Sequence, residues 1–394
     1  MAGKHRKHSP FQTEVAKRGG TGLAAAALSV TGLSTAVVTG TTAAVAPNVQ
    51  LMALVSAANS TSQFFAGSTY YGTDWTTVYG NQQVVPFFQG PQGIANAITN
   101  NAYDKDSTGV TGSGWGAGQA GTALGIIAAN DAANGTHVLD SVGLVILDNN
   151  TNRAGGGFWT TYYPFAPLLF TSAEPTPSNL PVTVLDVAYE YNINSDAPVD
   201  PLNPFAIGNS LAAYAFDYGA ENRALNITQE EVDGEEEGDE PTTVLVLHQS
   251  NGEDVTLEPG RHYVVEDGVV TNGPLDANGN HTGDALPAGT TTTYVTVASE
   301  NLPLTRPLRL IPGGDILANA VDPVMTDLVN AGYNDGKGLP GDPAIPADPT
   351  VTRPMQPFSS LGALNAGDLS DDAQQGATAG ATTAFQDVGN PSNF

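Results

Sequence analysis

The sequence predicts an α/β fold, in which a mostly parallel β-sheet is flanked by helices. Two continuous apolar runs, SVGLVILDNNTN at residues 141–152 and LPVTVLDVAYEYN at 180–192, end in polar turn residues, as buried parallel strands do. Apolar residues recur at helical spacing in GPQGIANAITNNAYD at 90–104, and a second helical stretch covers residues 203–219. Strands that alternate with helices predict a sheet with helices on both faces.

Composition limits the class of protein. The chain has 394 residues, of which 40% are hydrophobic, so it can bury a sizeable core. It has no cysteine, which excludes disulfides, thiolate metal sites and a cysteine nucleophile. The net charge of −27 argues against nucleic acid as a partner, because such a surface repels phosphate backbones.

Residues 1–46 have the pattern of an export signal. A basic stretch precedes the apolar run TGLAAAALSVTGLSTAVV, and AAVA supplies small residues for cleavage. Pro47 follows AAVA directly and disfavours cleavage there, so a later cut after residues 56–58 (SAA) is also considered. The pattern predicts a secreted or cell-envelope protein; an uncleaved anchor is the alternative.

The segment 233–292 differs in character from its surroundings. Six acidic residues crowd into residues 233–240 and predict an exposed linker. Alternating β-branched residues with NG and DG turns then predict a β-hairpin-rich insertion, which is a candidate surface for a protein partner. We expect the main domain to span residues 60–340, and the Pro/Gly-rich tail at 341–394 to be extended or disordered.

The stretch TYVTVASENLPLTRPLRLIPGGDILANAVDPVMTDLVNAGYND resembles the end of the PE-PPE domain, an α/β-hydrolase-type serine esterase domain of mycobacteria and related actinobacteria. Residues 300–309 reproduce the family's E-N-L-P-L-x-x-P-L-R segment, and Gly332, Tyr333 and Asp335 reproduce its G-Y-x-D ending. The stretches VILDNNTNRAGGGF and AYEYNINSDAP are similar to two further family segments in the same order. The resemblance covers residues 60–340 apart from the insertion, and it implies an α/β-hydrolase-like fold.

An esterase of this type needs a serine on a tight strand-to-helix turn, a histidine as base and a carboxylate that orients the histidine. The glycine-rich stretch GSGWGAGQAG at 112–121 lies where such an elbow is expected. Matching GAGQA to the family's G-x-S-x-[SG] elbow puts the serine position at Gly118, and matching EYNIN puts the acid position at Asn192. The histidine position falls in YGAENRALNIT, which offers Glu221 and Asn222 but no histidine. The resemblance therefore implies a hydrolase scaffold without its triad.

A relocated nucleophile is the alternative, and Ser113 is its candidate. Ser113 lacks the spacing of a G-x-S-x-G elbow at its own position, so a small residue in a crowded strand is the simpler interpretation. The histidines that could serve as its base, beyond the signal region, are His137, His248, His262 and His281.

A ligand cleft is expected at the carboxyl ends of the strands, where α/β folds bind ligands. Its candidate residues are Gly67, Ser68, Trp115, Gly116, Gln119 and Asp196. The sequence indicates no cofactor and no metal site. DANGNHTGD at 276–284 approaches calcium-loop spacing, but His281 stands where glycine is expected and Pro287 where glutamate is expected, so an Asn/Gly-rich turn is favoured.

These observations lead to a function hypothesis. We expect an exported envelope protein that retains an esterase-like scaffold and binds an acyl or glycolipid ligand, or a protein partner, without catalysis. The alternatives are an active acyl-ester hydrolase with Ser113 as nucleophile and a structural envelope protein with no ligand.

Overall fold

The computed structural model describes residues 52–232, 242–333, 348–364 and 366–388. The predicted export signal at 1–46 and the acidic cluster at 233–240 lie outside the described residues. The strands are β1 (Ala53–Ala57), β2 (Thr69–Tyr70), β3 (Thr73–Asp74), β4 (Asn81–Val85), β5 (Thr108–Ser113), β6 (Val142–Asp148), β7 (Val184–Tyr189), β8 (Ile227–Val232), β9 (Thr242–His248), β10 (Asp254–Leu257), β11 (Arg261–Glu266), β12 (Val269–Val270), β13 (Asp284–Ala285) and β14 (Thr292–Val297).

The α-helices are α1 (Thr76–Tyr79), α2 (Gly90–Asn100), α3 (Trp115–Asn134), α4 (Phe158–Thr161), α5 (Pro204–Asp217), α6 (Glu221–Ala224), α7 (Gly314–Asn330), α8 (Ser360–Ala363) and α9 (Ala366–Val388). Short 3-10 helices occur at Phe87–Gln89, Val138–Ser141, Tyr163–Leu169, Pro303–Leu310 and Ala331–Tyr333. Among the described residues, no helix is both long enough and apolar enough to span a membrane.

A mostly parallel sheet forms the centre of the fold. Within the described residues it has nine strands in the order β12-β11-β14-β7-β6-β5-β1-β4, with β13 paired to β11. The seven strands from β11 to β4 run parallel, whereas β12 and β13 pair antiparallel with β11. Every residue of β7 and β14 is buried, as expected for strands covered on both faces. The predicted α/β fold with a mostly parallel sheet is confirmed.

The strand β1 was not expected from the sequence. It lies between β5 and β4, pairs in parallel with both, and is buried along its whole length. Its small and apolar residues, ALVSA, directly continue the signal-like region and therefore resemble a cleavage site. A cut after residues 56–58 would remove this strand from the central sheet.

The two faces of the sheet are covered differently. Helices α2 and α3 cover one face, where Ile98 and Leu124 pack with Val145 of β6. On the other face, Trp75 beside the β2–β3 hairpin and Leu247 of β9 belong to one buried cluster with the sheet strands. Helices on both faces were expected, but a second, three-stranded sheet of β10, β9 and β8 contributes much of this second layer.

The β-rich insertion is part of the main fold. Its strand β9 pairs with β8 on one side and with β10 on the other, and β11 joins the central sheet in parallel with β14. The alternating pattern correctly indicated strands, but a parallel partner distant in sequence cannot be read from local alternation. The insertion therefore buries core residues as well as presenting a surface.

The tail also differs from the extended segment that was expected. Helix α9 packs along α7, and a Cβ placed on Gly376 would lie 2.1 Å from the Ala320 carbonyl oxygen. Arg353 forms a buried salt bridge of 3.2 Å with Asp196. The small residues of the tail permit close helix packing here.

Candidate functional site

A sharp strand-to-helix turn lies at the centre of the sheet's carboxyl edge. Strand β5 ends at Ser113 and helix α3 begins at Trp115, so a single residue, Gly114, makes the connection. Gly114 has φ 56° and ψ −122°, a conformation that is strained for any residue with a side chain. This is the geometry of a nucleophile elbow, in which the reactive residue sits on a strained turn between strand and helix.

The glycines on either side of Gly114 allow the strand and helix to approach closely. A Cβ on Gly112 would lie 2.9 Å from the Ala117 backbone nitrogen, and one on Gly116 would lie 2.8 Å from the Ala57 carbonyl oxygen. The sequence Gly112-Ser113-Gly114-Trp115-Gly116 therefore has the G-x-S-x-G spacing with glycine at its centre. The elbow is present, and the residue at its reactive position has no side chain.

The serine position was expected four residues later, at Gly118. Gly118 lies inside α3, where its backbone N–H donates to the Gly114 carbonyl, and a Cβ there would lie 2.3 Å from Thr151 Oγ1. The sequence comparison matched GAGQA to the family's elbow, which is a turn. The glycines of GAGQA instead lie in helix α3, where they allow close packing. The structure moves the central position to Gly114.

Three polar side chains surround the space above Gly114. A Cβ placed on this residue would lie 2.9 Å from Asn59 Nδ2, 3.0 Å from Tyr218 OH and 3.2 Å from Asn194 Nδ2. Asn59 follows β1, Asn194 follows β7 and Tyr218 ends α5, so three separate elements converge there. The two carboxamides can donate hydrogen bonds to a ligand oxygen at this point.

Ser113 is held in a buried hydrogen-bond network beneath the turn. Its hydroxyl donates to Asp148 Oδ2 at 2.7 Å, and Tyr218 OH lies 2.5 Å from the same hydroxyl oxygen. Because the single serine proton points to Asp148, Tyr218 is the donor to Ser113. Tyr71 OH donates to Asp148 Oδ1 at 3.1 Å.

Asp148 and Glu221 form a buried carboxyl pair. They lie close enough for each to shift the pKa of the other. Burial, followed by the negative charge of Asp148, raises the pKa of Glu221 well above its usual range, and burial also raises the pKa of Asp148. Both oxygens of Asp148 accept hydrogen bonds, from Ser113 and from Tyr71, and we therefore infer that Asp148 is ionised and that Glu221 carries a proton.

The three positions inferred for the triad do not form a triad. Asn192 is buried, and its side-chain oxygen accepts from the Asn194 backbone at 3.0 Å, whereas its nitrogen has no hydrogen-bond partner among the described residues. Glu221 contacts Asp148 and Asn149, and Gly118 packs against Thr151. The structure brings Glu221 close to the elbow network but places Asn192 and Gly118 in supporting positions.

The described residues contain four histidines, His137, His248, His262 and His281. His262 is buried and lies 2.9 Å from Thr296 Oγ1, and burial lowers its pKa to about 3. His248 Nδ1 lies 2.8 Å from Asp254 Oδ1 at the end of the three-stranded sheet. No hydrogen bond joins any of the four to Ser113 within the described part of the chain, so the structure places no histidine base there.

The residues predicted to line the cleft have different roles. Trp115 lies beside Gly114, whereas Gly116 is in contact with backbone and leaves no open space. Gly67 is exposed, and Ser68 binds Asp74 within its own loop. Two further predicted residues are Gln119, half-buried in α3, and Asp196, which pairs with Arg353.

An aromatic chain extends from the elbow. Trp115 contacts Phe87 and Trp159, with ring centroids 5.1 and 4.9 Å apart, and Trp159 contacts Phe158 at 4.8 Å. Phe158 in turn contacts Tyr162 at 5.0 Å. These rings form a continuous aromatic cluster beside the polar groups around Gly114, in which Trp159 and Tyr162 are buried and Trp115 is half-buried.

The calcium-like segment forms a turn. The Asp276 carboxylate accepts hydrogen bonds from the backbone N–H groups of Asn278 and Asn280 at 2.8 and 2.9 Å. These backbone contacts occupy the oxygen that a cation would need, as in an Asx turn.

Comparison with known proteins agrees with the sequence resemblance. Residues 270–334 match the family model described as the PE-PPE domain. The chain is also 28% identical over 248 residues to a protein named "Uncharacterized PPE family protein PPE42" from Mycobacterium tuberculosis (strain CDC 1551 / Oshkosh).

That alignment covers 62% of this chain and 32% of the relative, so the chain spans about a third of the length of the curated relative it matches. No solved structure matches the chain. In the fold, the PE-PPE segment supplies β14, α7 and the Pro303–Leu310 helix, whereas the elbow lies upstream of it.

Proposed function

We propose that this chain is a non-catalytic, exported envelope protein that binds an acyl-ester or glycolipid ligand at the elbow of an esterase-like scaffold. The observation that carries the proposal is Gly114, which occupies the strained reactive position and offers no nucleophile. The PE-PPE segment and the parallel sheet support the esterase-like scaffold.

The polar groups around Gly114 suit the oxygen of an ester or carboxylate. Asn59 and Asn194 each direct a carboxamide nitrogen toward this space. In an esterase, hydrogen-bond donors of this kind stabilise the oxyanion that develops during acyl transfer. Without a nucleophile, the same donors hold the ester in its ground state.

The aromatic chain suits the hydrocarbon part of the ligand. Trp115 links the polar space to Phe87 and Trp159. Exposed apolar side chains lie next to these contacts: Phe88 follows Phe87 and contacts Phe64, and Phe170 precedes Thr171, which accepts a hydrogen bond from Trp115. An acyl chain that covers such rings removes apolar area from water at about 25 cal/mol per Å².

Ligand binding can be measured through the tryptophans, of which the chain has three. We expect methyl dibromostearate to quench the fluorescence of the wild type, because Trp115 lies at the ligand position. The variants Asn59→Ala and Asn194→Ala should each weaken binding about tenfold, as expected for the loss of one hydrogen bond worth about 1.4 kcal/mol. Leu275→Ser removes an exposed apolar side chain elsewhere and should leave binding unchanged.

The binding proposal fails if the three variants and the wild type are quenched equally, since the probe would then adhere without using the site. Parallel incubation with p-nitrophenyl esters of several acyl lengths should release no p-nitrophenol from the wild type. Turnover by the wild type would overturn the non-catalytic part of the proposal.

A second candidate, an acyl-ester hydrolase, is favoured by the short contacts of Ser113. Asp148 accepts the serine proton at 2.7 Å and is backed by Glu221, so a carboxylate could act as base for attack on the ester carbonyl carbon. Esterase activity that Ser113→Ala abolishes and Gly114→Ala retains would establish this candidate.

A further inference from the structure

We propose that a second pocket, at the carboxyl ends of β7 and β14, binds a phosphate-bearing ligand through Arg223 and Arg306. This inference goes beyond the proposed function and does not depend on the elbow. The pocket has a volume of about 580 Å³, within the range of small-molecule sites. Ligands of parallel sheets commonly bind at this edge.

Three parts of the chain form the walls of the pocket. The PE-PPE signature segment at 300–309 contributes one wall, and helix α6 contributes a second. The third wall comes from the insertion, through Ser250 and the turn Asp267–Gly268 between β11 and β12. The signature residues therefore line a cavity instead of packing only in the core, and the insertion closes it from the opposite side.

Positive charge is concentrated in this pocket. Of the seven Lys and Arg residues in the described part of the chain, three line it: Arg223, Arg306 and Arg309. The others lie elsewhere: Arg153 and Arg353 in buried salt bridges, Arg261 beside Glu258, and Lys105 in an exposed loop. In a chain with a net charge of −27, such a concentration is an exception to the surface as a whole.

The three arginines differ in their contacts and in their exposure. Arg309 donates to Asp322 and to Asn319, so its charge is largely balanced and it forms a fixed part of the wall. Arg223 is exposed, and within the described residues it makes no salt bridge or hydrogen bond. Arg306 is also exposed and lies on the opposite wall.

Two acidic residues, Asp267 and Glu300, also line the pocket. Burial, together with Asp267, raises the pKa of Glu300. The raised pKa favours the neutral form of Glu300, which lessens the negative charge that a ligand anion meets in the pocket.

Arginine side chains on two walls suit a phosphate group. The guanidinium is planar and donates two parallel hydrogen bonds to phosphate oxygens. Val297, Ala298 and Leu310 provide apolar contacts for the glycerol or sugar that carries the phosphate. Such a phosphate can belong to a soluble ester or to a lipid headgroup.

Calorimetric titration of the full chain distinguishes these sources. Glycerol 3-phosphate is the soluble probe, and vesicles of phosphatidylglycerol in phosphatidylcholine are the lipid probe. Arg223→Gln and Arg306→Gln should each weaken binding of the recognised probe by about tenfold or more. Glu300→Gln removes an acidic group without changing its shape and should strengthen binding.

Lys105→Gln is the matched control, because it removes one positive charge from an exposed position outside the pocket. Glycerol and pure phosphatidylcholine vesicles test the need for the anionic group. Binding of either anionic probe that depends on both arginines supports the proposal, and the probe that binds identifies the source. The proposal is overturned if neither probe binds, or if Lys105→Gln weakens binding as much as the arginine variants do. Far-ultraviolet circular dichroism of each variant confirms that the fold is retained.

Discussion

Gly114 combines two constraints that usually occur in different residues. Its φ of 56° favours glycine, and the space at its Cβ is bounded by Asn59, Tyr218 and Asn194. These neighbours are the ends of side chains, so they can move aside, whereas the backbone conformation cannot change without breaking the turn. The backbone therefore dominates the cost of any substitution.

We expect Gly114→Ala to reduce the free energy of unfolding by about 1–3 kcal/mol, because alanine is strained in this region. Urea denaturation measures the change. Gly125→Ala is the matched control, since Gly125 lies in the middle of α3 and its added Cβ makes only an ordinary contact with Pro177 at 3.5 Å. The control should raise stability by about 0.5–1 kcal/mol. Equal effects of both substitutions would show that the turn at Gly114 is not strained.

The Asp148–Glu221 pair makes stability depend on pH. The pKa of Glu221 is raised in the folded state, so the native pair retains a proton that the unfolded chain releases above about pH 4.5. This contribution is complete below the pKa of the unfolded chain and is lost as pH rises through the folded pKa. For one proton the slope is at most about 1.4 kcal/mol per pH unit.

We expect Glu221→Gln to remove this pH dependence while keeping a donor for Asp148. Relative to wild type, the variant should therefore gain stability steadily between about pH 5 and 8. Urea midpoints across that range give the measurement. Glu174→Gln, at an exposed position, should follow the wild-type curve. A constant difference between Glu221→Gln and wild type would mean that the pair does not hold a proton.

Strand β1 determines where the folded domain can begin. It pairs with β4 and β5 and buries Leu54 and Val55 completely, so its loss would divide the central sheet. We expect a chain of residues 47–394 to unfold cooperatively, and one of residues 59–394 to lack a folded core. Thermal unfolding by circular dichroism compares the two.

Leu54→Ala tests the same element without removing it. The substitution should cost about 2–5 kcal/mol, as for other fully buried leucines. Cooperative unfolding of the 59–394 chain at the temperature of the 47–394 chain would show that β1 is dispensable, and would restore a cleavage site after residues 56–58.

The sequence predicted those elements whose signals are local. The apolar runs of β6 and β7 and the helical periodicity of α2 indicate their structure without reference to the rest of the chain. The strand β1 was not predicted because its five residues also resemble a signal cleavage region. The pairing of β11 with β14 depends on a contact distant in sequence, which local alternation does not specify.

The candidate site was predicted in part for the same reason. The glycine-rich stretch indicated the elbow, but several glycines could occupy its centre, and only the φ of Gly114 identifies the position. Asn59, Asn194 and Tyr218 were missed because they follow three different elements and meet only in the folded chain. Their signal in the sequence is limited to their position after a strand or helix.

At the scale of the whole molecule, both proposed sites lie at the carboxyl edge of one sheet. The elbow follows β5, and the arginine-lined pocket lies at β7 and β14, with β6 and β7 between β5 and β14. This arrangement places a predominantly apolar site and a positively charged site on the same side of the molecule. A glycolipid with a phosphorylated headgroup is one ligand class that matches both.

The net charge of −27 sets a further property of the whole chain. Like charges repel more strongly in the compact state than in the expanded unfolded chain, so screening by salt should favour folding. We expect the melting temperature to rise by several degrees as sodium chloride increases from about 0.02 to 0.3 M, where the Debye length becomes shorter than typical charge separations. A fall or no change would show that local ion pairs, which salt weakens, outweigh the net repulsion.

The acidic cluster at 233–240 allows a test of whether charge repulsion causes the salt dependence, because six acidic residues lie in one short stretch. Replacing its six carboxylates with the matching amides changes the formal net charge from −27 to −21 and leaves the side-chain shapes almost unchanged. The variant should melt at a higher temperature than wild type in low salt, and the two should converge in high salt. A difference that persists in high salt would instead point to a specific contact of this segment, since screening removes only the long-range part of the interaction.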